Sequence, residues 1–195
     1  MEDRELKSII EALLFVSVEP LTLEKIKVAV EGLERKKIIK AIRELKDEFY
    51  RNGHGIQVVE VSGGYQMVTL PEYAPWIKRL NNIKKPSRLS RPGLETLAMI
   101  AYKQPLTIPE IEAVRGVDSK GVMKTLLERR LIRILGKRDT VGKPIIYGTT
   151  KEFLKYFGLN NLSDLPSLKT FKREFEIENR DIVIPNPDKL ENSNV

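Results

Sequence analysis

One histidine and no cysteine leave little chemistry for this chain to perform. His54 stands between Gly53 and Gly55, in a stretch that reads as a loop. A histidine base needs a nucleophile to activate and an acid to orient it, and no such trio surrounds His54. A solvated loop residue is expected there. The absence of cysteine excludes thiolate catalysis and disulfides together, and suits a reducing cytosol. Any metal would have to rely on carboxylates, and no Asp-rich loop with EF-hand spacing occurs. No G-x-x-x-x-G-K or G-x-G-x-x-G run is present to cradle phosphate. Gly63-Gly64 and Gly136…Gly142 instead interrupt β-rich runs, where a turn explains them. The expectation is a protein that is no enzyme and uses no cofactor, metal or small-molecule substrate.

What remains is the chemistry of binding, and charge is its first clue. The net charge of +7 is uneven. Basic and acidic residues number 13 and 13 over residues 1–80, 16 and 7 over 81–157, and 5 and 7 over 158–195. The excess falls in the middle segment, whose field would attract nucleic acid or an acidic protein alike. A base-reading helix should offer Arg, Asn or Gln to the major groove. The basic helix around Lys120, Lys124, Arg129 and Arg130 has no Asn or Gln. The corresponding helix near 34–50 interleaves Glu34, Glu44, Asp47 and Glu48 with its lysines, which repels phosphate. Lys137, Arg138 and Lys143 lie in a basic stretch between two β-rich runs and could touch a phosphate backbone weakly, without reading bases.

These residues must be positioned by a repeated unit. EPLTLEKI at Glu19–Ile26 returns 85 residues later as QPLTIPEI at Gln104–Ile111. Each copy follows an apolar helical run. Each precedes a second short helix, a third longer one and a β-rich pair of runs. In the first copy Leu6, Ile9, Ile10, Leu13 and Leu14 form one helical stripe, and Ile38, Ile42, Leu45 and Phe49 another. IQVVEV and YQMVT flank Gly63-Gly64 as a hairpin, and a short helix at 73–80 should return Trp76, Ile77 and Leu80 to the core. In the second copy Leu94, Leu97, Ala98 and Ala101 repeat the first stripe, while Val122, Met123, Leu126 and Leu127 face inward. Thr107 and Glu110 are spaced as a capping box. Helix–helix–helix–hairpin is the winged-helix plan. The fold class is therefore α+β, mainly helical, with tandem winged-helix domains at 1–80 and 91–166. A linker over 81–90 and a peripheral, disordered tail over 167–195 complete the expected organisation. No apolar run approaches the roughly 20 residues of a membrane span, and the amino terminus has no signal-peptide pattern.

Two surfaces are left unexplained by folding. The apolar residues of EALLFVSV lie on more than one side of the first helix, so Leu14, Phe15 and Val16 are expected to form a homodimer contact. In the second repeat Tyr102, Lys103, Gln104 and Pro105 make a connection more elaborate than a turn needs. With Arg115 and Tyr147 they are the expected protein-binding surface, since Tyr and Arg are frequent binding anchors.

Several long stretches resemble the segregation and condensation protein B family over about residues 5–166. They are IEALLFVSVEPLT at 10–22, VVEVSGGYQMVT at 58–69, LETLAMIAYKQPLTIPEIEAVRGV at 94–117, LLERRLI at 126–132 and GKPIIYGTTKEFLKYFGLNNLSDLP at 142–166. The resemblance implies tandem winged helices, a homodimer and no enzymatic activity. It also implies a kleisin partner, ScpA, and through it the SMC ATPase of a chromosome condensation complex, in the cytoplasm and at the nucleoid. Dimerisation would fall mainly on the amino-terminal domain and kleisin binding on the carboxy-terminal one. A winged-helix transcription regulator, or an RNA-associated factor, is the competing reading of the charge and fold.

Overall fold

The structure is a computed structural model in which residues 2–80 and 88–167 are described. The expected linker is described only from Arg88, and the expected tail only at Ser167; the rest of both lies outside the described residues. By its contacts the chain divides after Leu162 into Met1–Leu162 and Ser163–Val195. In the second of these units a single 3-10 turn, Leu162–Asp164, overlaps the described start.

The first repeat runs α1 (Asp3–Val16), α2 (Leu23–Ala29), α3 (Arg35–Arg51), β1 (Ile56–Val61), β2 (Gly64–Thr69) and α4 (Ala74–Leu80). The 3.6-residue stripe of α1 places Leu6, Ile10 and Leu14 against Ile38, Ile42, Leu45 and Phe49 of α3, with Ile26 and Val58 closing the core. Each such side chain contributes about 1.5–3 kcal/mol by leaving water. β1 and β2 pair antiparallel from Ile56↔Thr69 to Val61↔Gly64. The turn residues Ser62 and Gly63 both take positive φ, 53° and 75°, as a tight primed hairpin turn requires. One expectation fails here. Trp76 is 60% exposed and Leu80 85%, Ile77 is half-buried, and α4 buries no residue, because α1, α2, α3 and β1 already close the core.

The second repeat runs α5 (Arg91–Lys103), β3 (Leu106–Thr107), α6 (Ile108–Arg115), α7 (Lys120–Glu128), β4 (Ile132–Lys137), β5 (Ile145–Thr149) and α8 (Lys151–Phe157). Leu97, Ile100, Ile111, Met123, Leu126, Ile132 and Phe153 are among its buried side chains. The Ser90 hydroxyl caps α5 by accepting from Gly93 N at 3.2 Å. The capping box is present: Glu110 N donates to Thr107 Oγ1, and Thr107 N donates to Glu110 Oε2 at 2.8 Å. The strands order β3-β5-β4, all antiparallel, with a register shift between Ile134 and Gly136.

The two copies of the Pro-Leu-Thr run do the same structural work. Leu21 and Tyr65 exchange backbone hydrogen bonds of 2.8 and 3.0 Å, while Leu106 pairs with Tyr147 as β3 against β5. Each following threonine caps the next helix: Thr22 accepts from Lys25 N, and Thr107 from Glu110 N. The run therefore joins a sheet rung to a helix start within two residues. Sequence periodicity could not show the rung, because a two-residue strand has no alternation to detect.

A polar clasp links the first hairpin to the residues after α8. Ser62 N donates to Leu159 O at 2.9 Å, and Gly63 N to Asn160 Oδ1 at 2.7 Å. Asn160 Nδ2 donates to Glu60 Oε1 at 2.9 Å, and Lys155 Nζ pairs with Glu19 at 2.6 Å.

Gly64→Ala is expected to destabilise the fold by about 1–3 kcal/mol in urea denaturation, because the added Cβ would sit 3.0 Å from backbone atoms of Pro20 and Leu21. Glu110 supplies a pH test. The Thr107 backbone N–H, then the Arg138 guanidinium and the Thr107 hydroxyl, hold its carboxyl at about 2, below the ordinary 4.5. A carboxyl depressed by folding contributes stability above its unfolded pKa and loses it as pH falls through the folded one. The melting temperature should therefore fall as pH drops from about 4.5 to about 2, and Glu110→Gln should flatten that part of the profile.

Candidate partner-binding surfaces

The side chains of the α5–α6 connection point in different directions, and this sorts them. Lys103 and Pro105 are exposed and Tyr102 is half-buried. Gln104 is turned inward: its Oε1 accepts from Thr149 N at 2.7 Å, and its Nε2 donates to Thr149 Oγ1 at 3.0 Å. The amide thus extends the β3–β5 ladder by one rung made with a side chain. Gly148 leaves room for it, since a Cβ there would lie 2.5 Å from Gln104 Oε1. Gln104 is accordingly a structural residue, which corrects its expected place among the surface anchors.

Tyr147 is corrected likewise. It is 5% exposed and pairs in the sheet with Leu106 and Ile134, so its ring belongs to the core of the second repeat. Arg115 is half-buried and donates from Nη1 to Ser119 Oγ at 2.8 Å. Ser119 is fully buried at the start of α7, and its N donates to Glu112 Oε1 at 3.0 Å. Part of Arg115 therefore ties α6 to α7. It stands at the far end of the eight-residue α6 from Pro105, roughly 12 Å along the helix axis. The contiguous surface left by this sorting is Tyr102, Lys103 and Pro105.

On α1 the expected dimer residues divide. Leu14 is 1% exposed and belongs to the core, which corrects its assignment; Phe15 and Val16 are 77% and 71% exposed. Neighbouring residues on a helix point about 100° apart, so Leu14 cannot serve both faces. Val18 continues the exposed apolar end at 86%.

The second hairpin also differs from its reading in charge. Lys137 and Lys143 are exposed. Arg138 is paired with Glu110 and donates from Nη2 to Pro105 O at 3.1 Å, so it braces the α5–α6 connection instead of projecting as a free cation. On α7, Lys120 and Lys124 form weak exposed pairs with Asp118 and Glu128, each at 3.9 Å. In the first repeat Lys37 and Lys40 pair with Asp3, and Lys7 with Glu44 and Glu48. Much of the α3 charge is thus spent within the fold.

His54 is exposed, but its ring meets that of Phe49 edge-on at 4.9 Å, a packing contact that a glycine-flanked loop did not announce. Among the described residues no helix is long and apolar enough to cross a membrane.

Comparison with known proteins gives this scaffold its relatives. The model of a family described as segregation and condensation complex subunit ScpB matches residues 8–168. Segregation and condensation protein B of Syntrophotalea carbinolica is 50% identical over 171 residues, 88% of this chain and 86% of that protein. The crystal structure of ScpB from Mycobacterium tuberculosis shares 34% identity, covers 82% of this chain and 98% of its own, and superposes with a TM-score of 0.40. A dimer of a ScpB N-terminal domain complexed with ScpA peptide shares 35% identity over 40% of this chain and 95% of its own, with a TM-score of 0.37. Scores this low carry nothing from shape, and the kinship rests on sequence. On the match across residues 8–168 and on 50% identity over 171 residues with a relative of which 86% is covered, this chain belongs to the ScpB family of segregation and condensation complex subunits.

Proposed function

We propose that the chain is a non-enzymatic adaptor of chromosome condensation and segregation: a homodimer that grips the kleisin ScpA and, through it, an SMC ATPase at the nucleoid. Family membership supports the complex, and ScpA is the partner found with the dimeric ScpB N-terminal domain. The single observation that carries the adaptor reading is a filled core beside an exposed apolar helix end. Leu6, Ile10 and Leu14 are at most 1% exposed, yet Phe15, Val16 and Val18 stand 71–86% exposed. Folding one copy does not require those side chains, and leaving them in water is costly. A second copy covering them gives a symmetric, self-complementary contact.

In this reading residues 1–80 form the dimerisation domain and residues 91–166 carry much, though not all, of the kleisin contact. Tyr102, Lys103 and Pro105, with the outer part of Arg115, offer the kleisin an aromatic body, two cations and a rigid edge. Lys137 and Lys143 supply at most weak, non-specific DNA contact that declines as salt rises. A transcription regulator is less well supported. Lys37 and Lys40 of α3 are engaged by Asp3 and Glu44, and neither α3 nor α7 presents Asn or Gln to a base edge.

Phe15→Asp is expected to give monomer or insoluble protein, read by light scattering on a sizing column; a well-folded dimer would remove the α1 contact. Tyr102→Ala and Arg115→Ala should each keep the dimer and weaken ScpA binding by about 1–2 kcal/mol in calorimetric titration. Arg115→Ala should also lower the melting temperature, because its bond to Ser119 is lost. Unchanged affinity in both variants would remove this surface from the kleisin contact.

A further inference from the structure

The turn of the first hairpin leaves two backbone donors that its own strands do not use. β1 and β2 pair as far as Val61↔Gly64, so the N–H groups of Ser62 and Gly63 point away from the ladder. Both find their acceptors in the second repeat. Gly158 ends α8 in the left-handed region, φ 66°, and turns the chain outward. The next two residues then meet the turn: Leu159 O accepts from Ser62 N, and Asn160 Oδ1 from Gly63 N.

Asn160 engages the turn and the strand before it together. Its Oδ1 takes the Gly63 N–H at 2.7 Å while its Nδ2 donates to Glu60 Oε1 at 2.9 Å. An amide has one accepting and one donating end, and this site uses both. Ser62 Oγ adds a longer bond to Lys151 O at 3.4 Å, and Lys155 pairs with Glu19. All of these contacts are polar and lie at the surface, where water competes for each group. The hydrophobic core around α1 and α3 takes in no side chain from the second repeat. Among the described residues no helix or strand of one repeat packs extensively on an element of the other. Domains joined by a small polar contact, without a shared apolar core, move against one another by default.

We propose that the first hairpin turn is a releasable latch on the second repeat. Closed, as in this structure, it fixes the angle between the repeats, and with it the placement of the exposed end of α1 relative to the Tyr102–Pro105 surface. Open, it frees the second repeat to pivot and uncovers the Ser62 and Gly63 amides together with Glu60. Any group that takes those two amides must displace Leu159 O and Asn160, so occupancy of the turn and the angle between the repeats are thermodynamically linked. The inference goes beyond the adaptor reading, and its test needs no ScpA.

The absence of cysteine allows two spin labels to be placed without background, at Tyr50→Cys and Val141→Cys, positions 88% and 104% exposed in different repeats. Labelled chain is diluted with unlabelled chain, and double electron–electron resonance reads the distance between the labels within one molecule. The otherwise unchanged protein should give a single narrow distance. Asn160→Asp keeps the size and the acceptor for Gly63 N but sets a carboxylate against Glu60, so the single distance should be lost to a broad distribution at neutral pH. Glu60→Gln/Asn160→Asp reverses donor and acceptor and should restore it. Circular dichroism should be the same for all three. A broad distribution without any substitution overturns the latch, as does a narrow one in Asn160→Asp. Failure of the double variant to restore the narrow distance overturns it too, because the defect would then lie outside the Glu60–Asn160 pairing.

Discussion

The architecture hangs on one short junction, used twice. At Leu21 and again at Leu106 the backbone donates and accepts in a sheet while the next residue, a threonine, starts a helix. A helix start leaves N–H groups without intrahelical partners, and a sheet edge leaves a row of donors and acceptors. Placing both within two residues satisfies part of each requirement. It also sets where the second helix points relative to the hairpin. The close approach explains why Gly64 and Gly148 lie on the facing strand ends: in each, a Cβ would collide with the incoming chain or its side chain. The Tyr102–Pro105 surface of the second repeat borders this junction.

The two copies have diverged in what they do with it. In the second, Gln104 adds a side-chain rung, Glu110 closes the capping box, and Arg138 reaches Glu110 and Pro105 O. That network fixes the α5–α6 connection, so the exposed side chains there are held on a rigid base, which lowers the ordering cost of binding. In the first, Leu21 makes an isolated bridge with Tyr65.

Helices and hairpins were legible because their apolar stripes are long and regular. Leu6, Ile10, Leu14 and Ile38, Ile42, Leu45 lie where the 3.6-residue period puts them, and the Thr107–Glu110 spacing announced its own capping box. Direction of side chains was not legible. Gln104 and Tyr102 are two residues apart in a polar turn, and nothing in their types tells which amide or ring faces inward. β5 is five residues long, and residue type does not tell that Tyr147 is buried while Ile145, on the same face at the strand end, is 38% exposed. Trp76 reads as core on residue type alone, yet the helix carrying it buries no residue. Arg43 and Lys46 read as a solvated face, and both are exposed.

The clasp between Gly63 and Asn160 joins residues 97 apart in sequence, while nearly every core contact of the first repeat is made before residue 70. Closing so long a loop carries an entropic cost that short-range pairing does not. On the ribosome the amino-terminal repeat is already complete when the second is still being synthesised. Its hairpin turn must therefore wait, fully formed but unclasped, for the residues after α8 to emerge. The carboxy-terminal half becomes the last piece to lock in vectorial folding, and during that interval Glu60 lacks the amide that otherwise holds it.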